Sequence, residues 1–180
     1  AELVFFSPLT DSALPEQLDG LYLGGGYPEL YLPQLSGNHA FLESLRAAAQ
    51  KQLPIFAECG GFLYLQQSIQ DAQGNIFPMA GLLPGTAAMG KRLCRFGYVT
   101  MTAQQDTLCA EKGAVIRAHS FHYADSTENG TAFSVQRPNG RTWLEVQQQS
   151  SILAGFPHWY FPSCPEAAQR FAVQLLDRME

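Results

Sequence analysis

Cys59 is the residue of this sequence with the clearest capacity for covalent chemistry. It follows an apolar run at residues 54–57 and the acid Glu58, and two glycines, Gly60 and Gly61, come directly after it. This pattern predicts a buried strand, a sharp turn that carries the cysteine, and a helix that begins at once. A helix N-terminus in front of a thiol favours the thiolate, which is the nucleophilic form. A buried structural cysteine before a tight turn would leave the same pattern. Other residues of the chain must therefore show whether Cys59 is structural or nucleophilic.

A nucleophilic cysteine needs a base within hydrogen-bonding distance, and the sequence contains four histidines. His158 follows an apolar run at residues 152–156, so it falls at the carboxyl end of a predicted strand, as Cys59 does. In open α/β sheets the site lies at the carboxyl ends of the strands. His158 is therefore the candidate base, whereas His39 begins a predicted helix and is expected to be a solvated or capping residue.

His119 and His122 lie three residues apart in a stretch that is typical of a strand. In an extended strand this spacing places the two side chains on opposite faces, so we expect no shared metal ion. We expect this segment to pack beside the mouth of the site or against a partner domain.

Three consecutive glycines, Gly24, Gly25 and Gly26, end another short apolar run and are called the glycine turn below. The turn lacks the lysine of a phosphate-binding loop and the Gly-x-Gly-x-x-Gly fingerprint of dinucleotide sites. Either it is a permissive bend, or its N–H groups act with that of Gly60 to hold an oxyanion. These residues alone leave both interpretations open.

Hydrophobic patterning indicates the elements that must position these residues. Strands are expected at residues 3–6, 20–23, 54–57 and 152–156, and helices at residues 14–18, at 39–50 and from Pro165 onward. Strands and helices that alternate in this way indicate α/β units with parallel strands. The middle of the chain is β-rich, and Asn139-Gly140 between two strand-like runs predicts a hairpin.

Composition and charge describe one folded domain. The chain has 180 residues, of which 46% are hydrophobic and 15% charged, and no apolar run is long enough to cross a membrane. A net charge of -5 with scattered basic residues argues against nucleic acid or an anionic membrane surface as a partner. No secretory signal is recognisable, and four cysteines without Cys-x-x-Cys spacing indicate reduced thiols and a cytoplasmic setting. The chain opens on a strand-like run, as a piece of a longer polypeptide would.

Four motifs carry a resemblance to a known family. They are Leu-Gly-Gly-Gly-Tyr-Pro-Glu-Leu at 23–30, Ala-Glu-Cys-Gly-Gly-Phe-Leu-Tyr-Leu at 57–65, His-Ser-Phe-His-Tyr at 119–123 and His-Trp-Tyr-Phe at 158–161. Together they resemble the cobyric-acid-synthase-like branch of class I glutamine amidotransferases, in particular the C-terminal glutaminase domain of cobyrinic (or hydrogenobyrinic) acid a,c-diamide synthases. The likeness runs from about Phe5 to Phe171. It implies a flavodoxin-like three-layer α/β sandwich with a mostly parallel central sheet and a β-rich middle section, and one glutaminase domain over residues 1–180.

The resemblance also implies roles for individual residues. Cys59 matches the nucleophile of the family and His158 the histidine that activates it. Gly60, Gly25 and Gly26 match the region that holds the oxyanion.

The acid that completes a triad in many relatives lies two residues after the histidine. Here that position is Tyr160, so the resemblance implies a Cys-His dyad. The family commonly has glutamate where this chain has Ser120, and histidine where it has Tyr160. Glu58, His119, His122 and Tyr160 are candidates for contacts at the mouth of the site or with an acceptor domain.

In this family the domain hydrolyses glutamine through a cysteine thioester and supplies ammonia to a synthetase domain. That domain uses ATP and Mg²⁺ to amidate the a and c carboxylates of cobyrinate or hydrogenobyrinate, and it is expected outside these 180 residues, fused or separate. No cofactor or metal is expected in this chain. Three alternatives stay open: another cysteine hydrolase of the same fold, the glutaminase of a different amidotransferase of this branch, and a non-catalytic binding domain.

Overall fold

Parallel strands alternate with helices at the two ends of the chain, and mostly antiparallel strands fill its middle, where only β3 and β5 of the described strands pair in parallel. The structure is a computed structural model, which describes residues 2–176. Over those residues the elements are β1 (Leu21–Leu23), α1 (Leu32–Gly37), α2 (His39–Gln50), β2 (Ile55–Glu58), α3 (Gly60–Leu65), β3 (Ser68–Gln70), β4 (Ile76–Pro78), β5 (Thr86–Met89), β6 (Arg95–Ala103), β7 (Val115–His122), β8 (Ala124–Ser126), β9 (Phe133–Gln136), β10 (Thr142–Glu145), β11 (Gln147–Gln149), β12 (Ile152–Gly155), β13 (His158–Trp159) and α4 (Pro165–Leu176).

The sheet that carries the predicted nucleophile has the order β1-β2-β12-β11. β1 and β12 run parallel to β2 on either side of it, and β11 joins the edge in the antiparallel direction. Every residue of β2 and of β12 is buried. Such strands are expected where both faces of a sheet are covered, and the prediction of parallel strands at 20–23, 54–57 and 152–156 is confirmed.

The two faces of this central sheet pack against different layers. Ile55 and Ala57 point into a core that is shared with α2 and α3, whereas Phe56 points into a second core. That second core is built by the antiparallel sheet β10-β9-β6-β7-β13 and by Ala167 of α4. The α/β sandwich predicted from the sequence is therefore present, and much of its second outer layer consists of strands.

The β-rich middle forms two sheets. β9 and β10 pair as the hairpin that the Asn139-Gly140 signal predicts, and Gly140 has the positive φ of 85° that such a turn uses. A smaller sheet has the order β4-β3-β5-β8. Its strands are short, and the sequence pattern did not predict where each of them begins and ends.

Two elements expected near the start of the chain are absent. Residues 3–6 form no strand, because Leu3 and Phe5 are 78% and 90% exposed and, within residues 2–176, β1 has only β2 as a pairing partner. Residues 14–18 form no helix. The helical spacing of Phe62, Leu65 and Ile69 predicts that the helix after Cys59 extends to Ile69, but the helix ends at Leu65 and Ile69 belongs to β3. Over the same described residues, no helix combines the length and the apolarity that a membrane span needs.

Phe56 is the side chain of β2 that packs in the second core. It is 2% exposed and packs against the rings of Tyr22, Trp159, Phe161 and Phe171. Phe56→Ala should lower the free energy of unfolding by about 3–5 kcal/mol, because it removes buried surface and leaves a cavity. Urea unfolding followed by circular dichroism measures this change.

Leu30→Ala is the control for that experiment, because Leu30 is 67% exposed. It should change the free energy of unfolding by less than about 0.5 kcal/mol. Equal effects of the two substitutions would contradict the packing role of Phe56.

Candidate active site

Cys59 occupies a sharp turn between β2 and α3. Its φ of 48° and ψ of -104° are rare for a residue with a side chain. Two hydrogen bonds hold this conformation: the Cys59 N–H donates to the Gly155 carbonyl at 2.8 Å, and the Leu63 N–H donates to the Cys59 carbonyl at 3.0 Å. The strand, turn and helix predicted around Cys59 are confirmed.

The glycine turn lies against the beginning of α3. A Cβ at Gly61 would collide with the Leu23 carbonyl, and a Cβ at Gly60 would lie 2.9 Å from the backbone N and O of Gly26. The Gly61 N–H also donates to the Gly24 carbonyl at 3.1 Å. Since only glycine permits this approach, the two glycines after the cysteine determine how closely the glycine turn packs on the elbow.

The glycine turn also contacts the candidate base. A Cβ at Gly25 would collide with Cε1 of the His158 imidazole and would lie 3.2 Å from its Nδ1. The structure therefore brings together the turn, the elbow and His158, although Gly25 and His158 are 133 positions apart in the chain.

His158 is held by a different sheet from Cys59. It lies on β13, where it pairs with His119 of β7, three residues after β12 ends at Gly155. Its side chain is 37% exposed. The prediction that His158 follows a strand of the central sheet is correct, but its position is set by antiparallel pairing with the β-rich middle.

The Cys59 side chain is buried, and its thiol donates a weak hydrogen bond to the Phe121 carbonyl, with S···O at 3.8 Å. Burial raises the pKa of the thiol to about 11, and the Gly60 N–H only partly counters it. The negative charges of Glu29 and Glu58 raise this pKa further. The expectation of a thiolate is therefore not met in the resting chain, because desolvation of the buried thiol raises its pKa.

Glu58 is a buried carboxylate at the end of β2, with 4% exposure. Its Oε2 accepts a hydrogen bond from the Tyr22 hydroxyl, and its Oε1 accepts one from the Trp159 N–H, both at 2.6 Å. Oε2 also lies 4.0 Å from Nδ1 of His158. Burial raises the pKa of Glu58, while the two hydrogen bonds and the charge of His158 act in the opposite direction. Burial and the adjacent carboxylate together raise the pKa of Tyr22.

His119 and His122 lie on opposite faces of β7, as their spacing predicts. His119 is half-buried between the rings of Phe96 and Tyr98. His122 is 4% exposed, stacks on Phe156 at 3.8 Å between ring centroids, and donates from Nδ1 to the Ala124 carbonyl at 2.6 Å.

Burial lowers the pKa of His122 to about 4, so its ring is neutral. The low exposure of His122 places it inside the core and not at the mouth of the site. Among residues 2–176, no group of three or more His, Cys, Asp or Glu side chains is placed to hold a metal ion.

A surface cavity of about 960 Å³ opens beside His158. Its lining includes two arginines, aromatic rings and His119, and none of the described residues that line it is acidic. Tyr160 and Tyr98 are the most exposed of its rings, at 59% and 77%. The cavity thus brings together two of the predicted contact residues, His119 and Tyr160, on the sheet that carries the base.

Sequence reasoning missed two partners of the predicted residues, the Tyr22 hydroxyl and the Phe121 carbonyl. Tyr22 could have been found, because it pairs with Phe56 in the parallel register and so shares a face with Glu58 two residues further on. The Phe121 carbonyl left no signal, since a backbone acceptor carries no mark in the sequence.

Comparison with known proteins identifies the family. A model of the CobB/CobQ-like glutamine amidotransferase domain matches residues 1–164. The cobyrinate a,c-diamide synthase of Leptospira interrogans serovar copenhageni is 41% identical over 98% of this chain, and that of Salmonella typhimurium is 42% identical over 94%. The chain spans only 40% and 38% of the lengths of these two relatives.

Solved structures agree on the fold. A structure described as a glutamine amidotransferase superposes with a TM-score of 0.60 and 16% identity, over 89% of this chain and 80% of the other. PurLQS from Thermotoga maritima gives a TM-score of 0.59 and 14% identity, over 96% and 84%. The architecture is therefore that of the class I glutamine amidotransferases. Within that class, the chain belongs to the CobB/CobQ-like glutamine amidotransferase domains, as its four motifs predict.

The raised thiol pKa predicts how Cys59 reacts in the free domain. Since iodoacetamide attacks the thiolate, its rate of reaction with Cys59 should rise about tenfold per pH unit between pH 7 and 9, without levelling off. Mass spectrometry of the Cys59 peptide measures the rate.

The control is the urea-unfolded chain, in which the rate should begin to level off near pH 8.5. A plateau below pH 8 in the folded domain would contradict the neutral resting thiol.

Proposed function

We propose that this chain hydrolyses glutamine with Cys59 as nucleophile and His158 as base. The observation that carries this proposal is the convergence of the strained cysteine elbow, the glycine turn and the His158 imidazole at one edge of the central sheet. A nucleophile, a base and backbone donors are the parts that acyl transfer needs.

The reaction begins with proton transfer, because the resting thiol is neutral. His158 takes the proton as Sγ of Cys59 attacks the side-chain amide carbon of glutamine. The carbonyl oxygen becomes an oxyanion, which the N–H groups of Gly60 and the glycine turn stabilise. When the carbon–nitrogen bond breaks, the same proton passes from His158 to the departing nitrogen, which leaves as ammonia.

The second half of the reaction releases glutamate. The γ-glutamyl thioester on Cys59 is attacked by water, whose proton His158 accepts. The carbon–sulfur bond then breaks, and the proton returns to the sulfur. Each cycle therefore consumes one glutamine and one water and restores the neutral thiol.

Substitution of the nucleophile tests this mechanism in the complete enzyme, which contains the synthetase part. Cys59→Ser should reduce glutamine-dependent amidation and glutamate release by at least about 1000-fold. Amidation from added ammonium chloride should remain within about twofold of wild type, which is the internal control. Unchanged glutamate release in the variant would refute the nucleophile assignment.

The remainder of the enzyme is proposed from its relatives. We propose that ammonia from this domain reaches a synthetase domain, fused or separate, that uses ATP and Mg²⁺. By analogy with the relatives named cobyrinate a,c-diamide synthase, the acceptor would be the a and c carboxylates of cobyrinate or hydrogenobyrinate in cobalamin biosynthesis. The reaction would take place in the cytoplasm.

The alternative on the same fold is a cysteine hydrolase with another substrate. The close packing of the glycine turn on the elbow and on His158 supports the glutaminase proposal, in which the N–H groups of this turn would hold the oxyanion. An alkylation experiment separates a glutaminase from a hydrolase with another substrate. In a glutaminase, glutamine should protect Cys59 from the alkylating reagent, and the same concentration of glutamate should not.

The surface around the cavity is proposed as the contact with the synthetase domain. Ammonia must pass between domains without loss to water, so the partner has to cover the edge of the site. His119, Tyr160 and Tyr98 surround that edge, and their rings are available to a partner.

Tyr98→Ala tests this contact. We expect it to lower glutamine-dependent amidation about 5- to 50-fold in the complete enzyme, while ammonia-dependent amidation and the unfolding midpoint stay unchanged. The matched control is Ile76→Ala, an exposed apolar side chain on β4 of the smaller sheet, which should leave both amidation rates unchanged. A Tyr98→Ala variant with wild-type coupling would exclude this surface as the contact.

A further inference from the structure

Tyr160 occupies the position at which a triad acid would follow His158. Its side chain has no carboxylate and is 59% exposed. The structure nevertheless provides an acid for His158 from the opposite side of the site. Glu58, directly before the nucleophile, faces the imidazole with its Oε2 at 4.0 Å from Nδ1. We propose that Glu58 is the positioning residue of His158 and takes the place of the missing triad acid, an inference that rests on the proposed function.

Glu58 acts on His158 in two ways. Its Oε1 accepts the N–H of Trp159, the next residue in the chain, at 2.6 Å. It thereby anchors the backbone of β13 to the end of β2. Its Oε2 lies 4.0 Å from Nδ1 of the imidazole, beyond hydrogen-bonding distance, so it acts on the ring through its charge.

The Tyr22 hydroxyl determines where Oε2 lies. It donates to Oε2 at 2.6 Å from the neighbouring parallel strand, and its ring stacks on Phe56. A carboxylate that accepts two short hydrogen bonds from fixed donors has little freedom to turn. The position of Oε2 is therefore set before the base receives a proton.

A buried carboxylate at this distance stabilises the imidazolium that forms when Cys59 loses its proton. Attraction between opposite charges at 4.0 Å is much stronger in a buried site than in water. Desolvation disfavours the charged form of Glu58, whereas its two hydrogen bonds favour it. The titratable groups that interact with Glu58 are Tyr22, His158, Cys59 and Cys109.

The same carboxylate acts on the neighbouring thiol. Glu58 raises the pKa of the adjacent Cys59, and its Oε2 lies 4.0 Å from the His158 imidazole. Its charge therefore favours transfer of the proton to His158 over loss of the proton to solvent. The pair of charges that results is one negative sulfur and one positive ring, with the carboxylate next to both.

Glu58→Gln tests the charge while it preserves the shape of the side chain. In the complete enzyme with glutamine as nitrogen donor, kcat should fall about 10- to 100-fold and KM should stay within about threefold. The acid limb of the kcat/KM profile should move to lower pH by at least half a unit, because the imidazolium loses its counter-charge. Ammonia-dependent amidation should be unchanged.

Two further variants separate positioning from folding. Glu58→Asp keeps the charge but withdraws it from the ring, so the acid limb should move less than in Glu58→Gln while kcat falls. Tyr22→Phe removes one hydrogen bond from Oε2 and keeps the charge, so its loss in kcat should be smaller than that of Glu58→Gln. Unfolding midpoints show which variants are folded.

An unmoved acid limb in a folded Glu58→Gln variant would overturn the inference and leave Glu58 a structural residue. If Glu58→Gln does not fold, wild-type kcat in Glu58→Asp overturns it instead. The two proposals fail separately: activity that survives Cys59→Ser refutes the glutaminase mechanism, whereas loss in Cys59→Ser with wild-type behaviour in Glu58→Gln refutes only the role of Glu58.

Discussion

The buried carboxylate of Glu58 is the interaction on which the site depends, because it joins three segments that are far apart in the chain. Through its two oxygens it binds Tyr22 on β1 and the backbone of Trp159 on β13, while its own strand leads directly into Cys59. An acid buried in this position costs free energy unless its oxygens are satisfied. The hydrogen bonds that satisfy it also join the strand that leads into Cys59 to β1 and to the strand that carries His158.

The backbone around Cys59 is as constrained as the carboxylate beside it. The elbow requires a positive φ at Cys59. The helix after it can approach the glycine turn only because Gly60 and Gly61 lack side chains. Backbone strain of this kind persists when the surrounding structure over-determines it. Here the hydrogen bonds to β12 and within α3 supply that determination.

Local pattern in the sequence predicted the central strands, the helix at 39–50 and the hairpin, because each of these leaves a mark within a few residues. The positions of Cys59 and His158 after central strands followed from the same pattern, whereas their catalytic roles stay a prediction. Local pattern failed where the outcome depends on distant contacts. Leu3 and Phe5 read as a strand, but no partner strand covers them. The neutral state of the Cys59 thiol was also not predicted, because its burial and its distances from Glu29 and Glu58 depend on the folded chain.

Cys59 and His158 belong to different sheets, and this division has a structural consequence. Cys59 is carried by the parallel sheet through β2, and His158 by the antiparallel sheet through β13 and β7. The separation between sulfur and imidazole therefore depends on how the two sheets pack, and the hydrogen bond from the Trp159 N–H to Glu58 joins the two strands at this point. The cavity beside His158 opens on the antiparallel sheet, so a partner that binds there would contact the sheet that carries His158 and not the Cys59 turn.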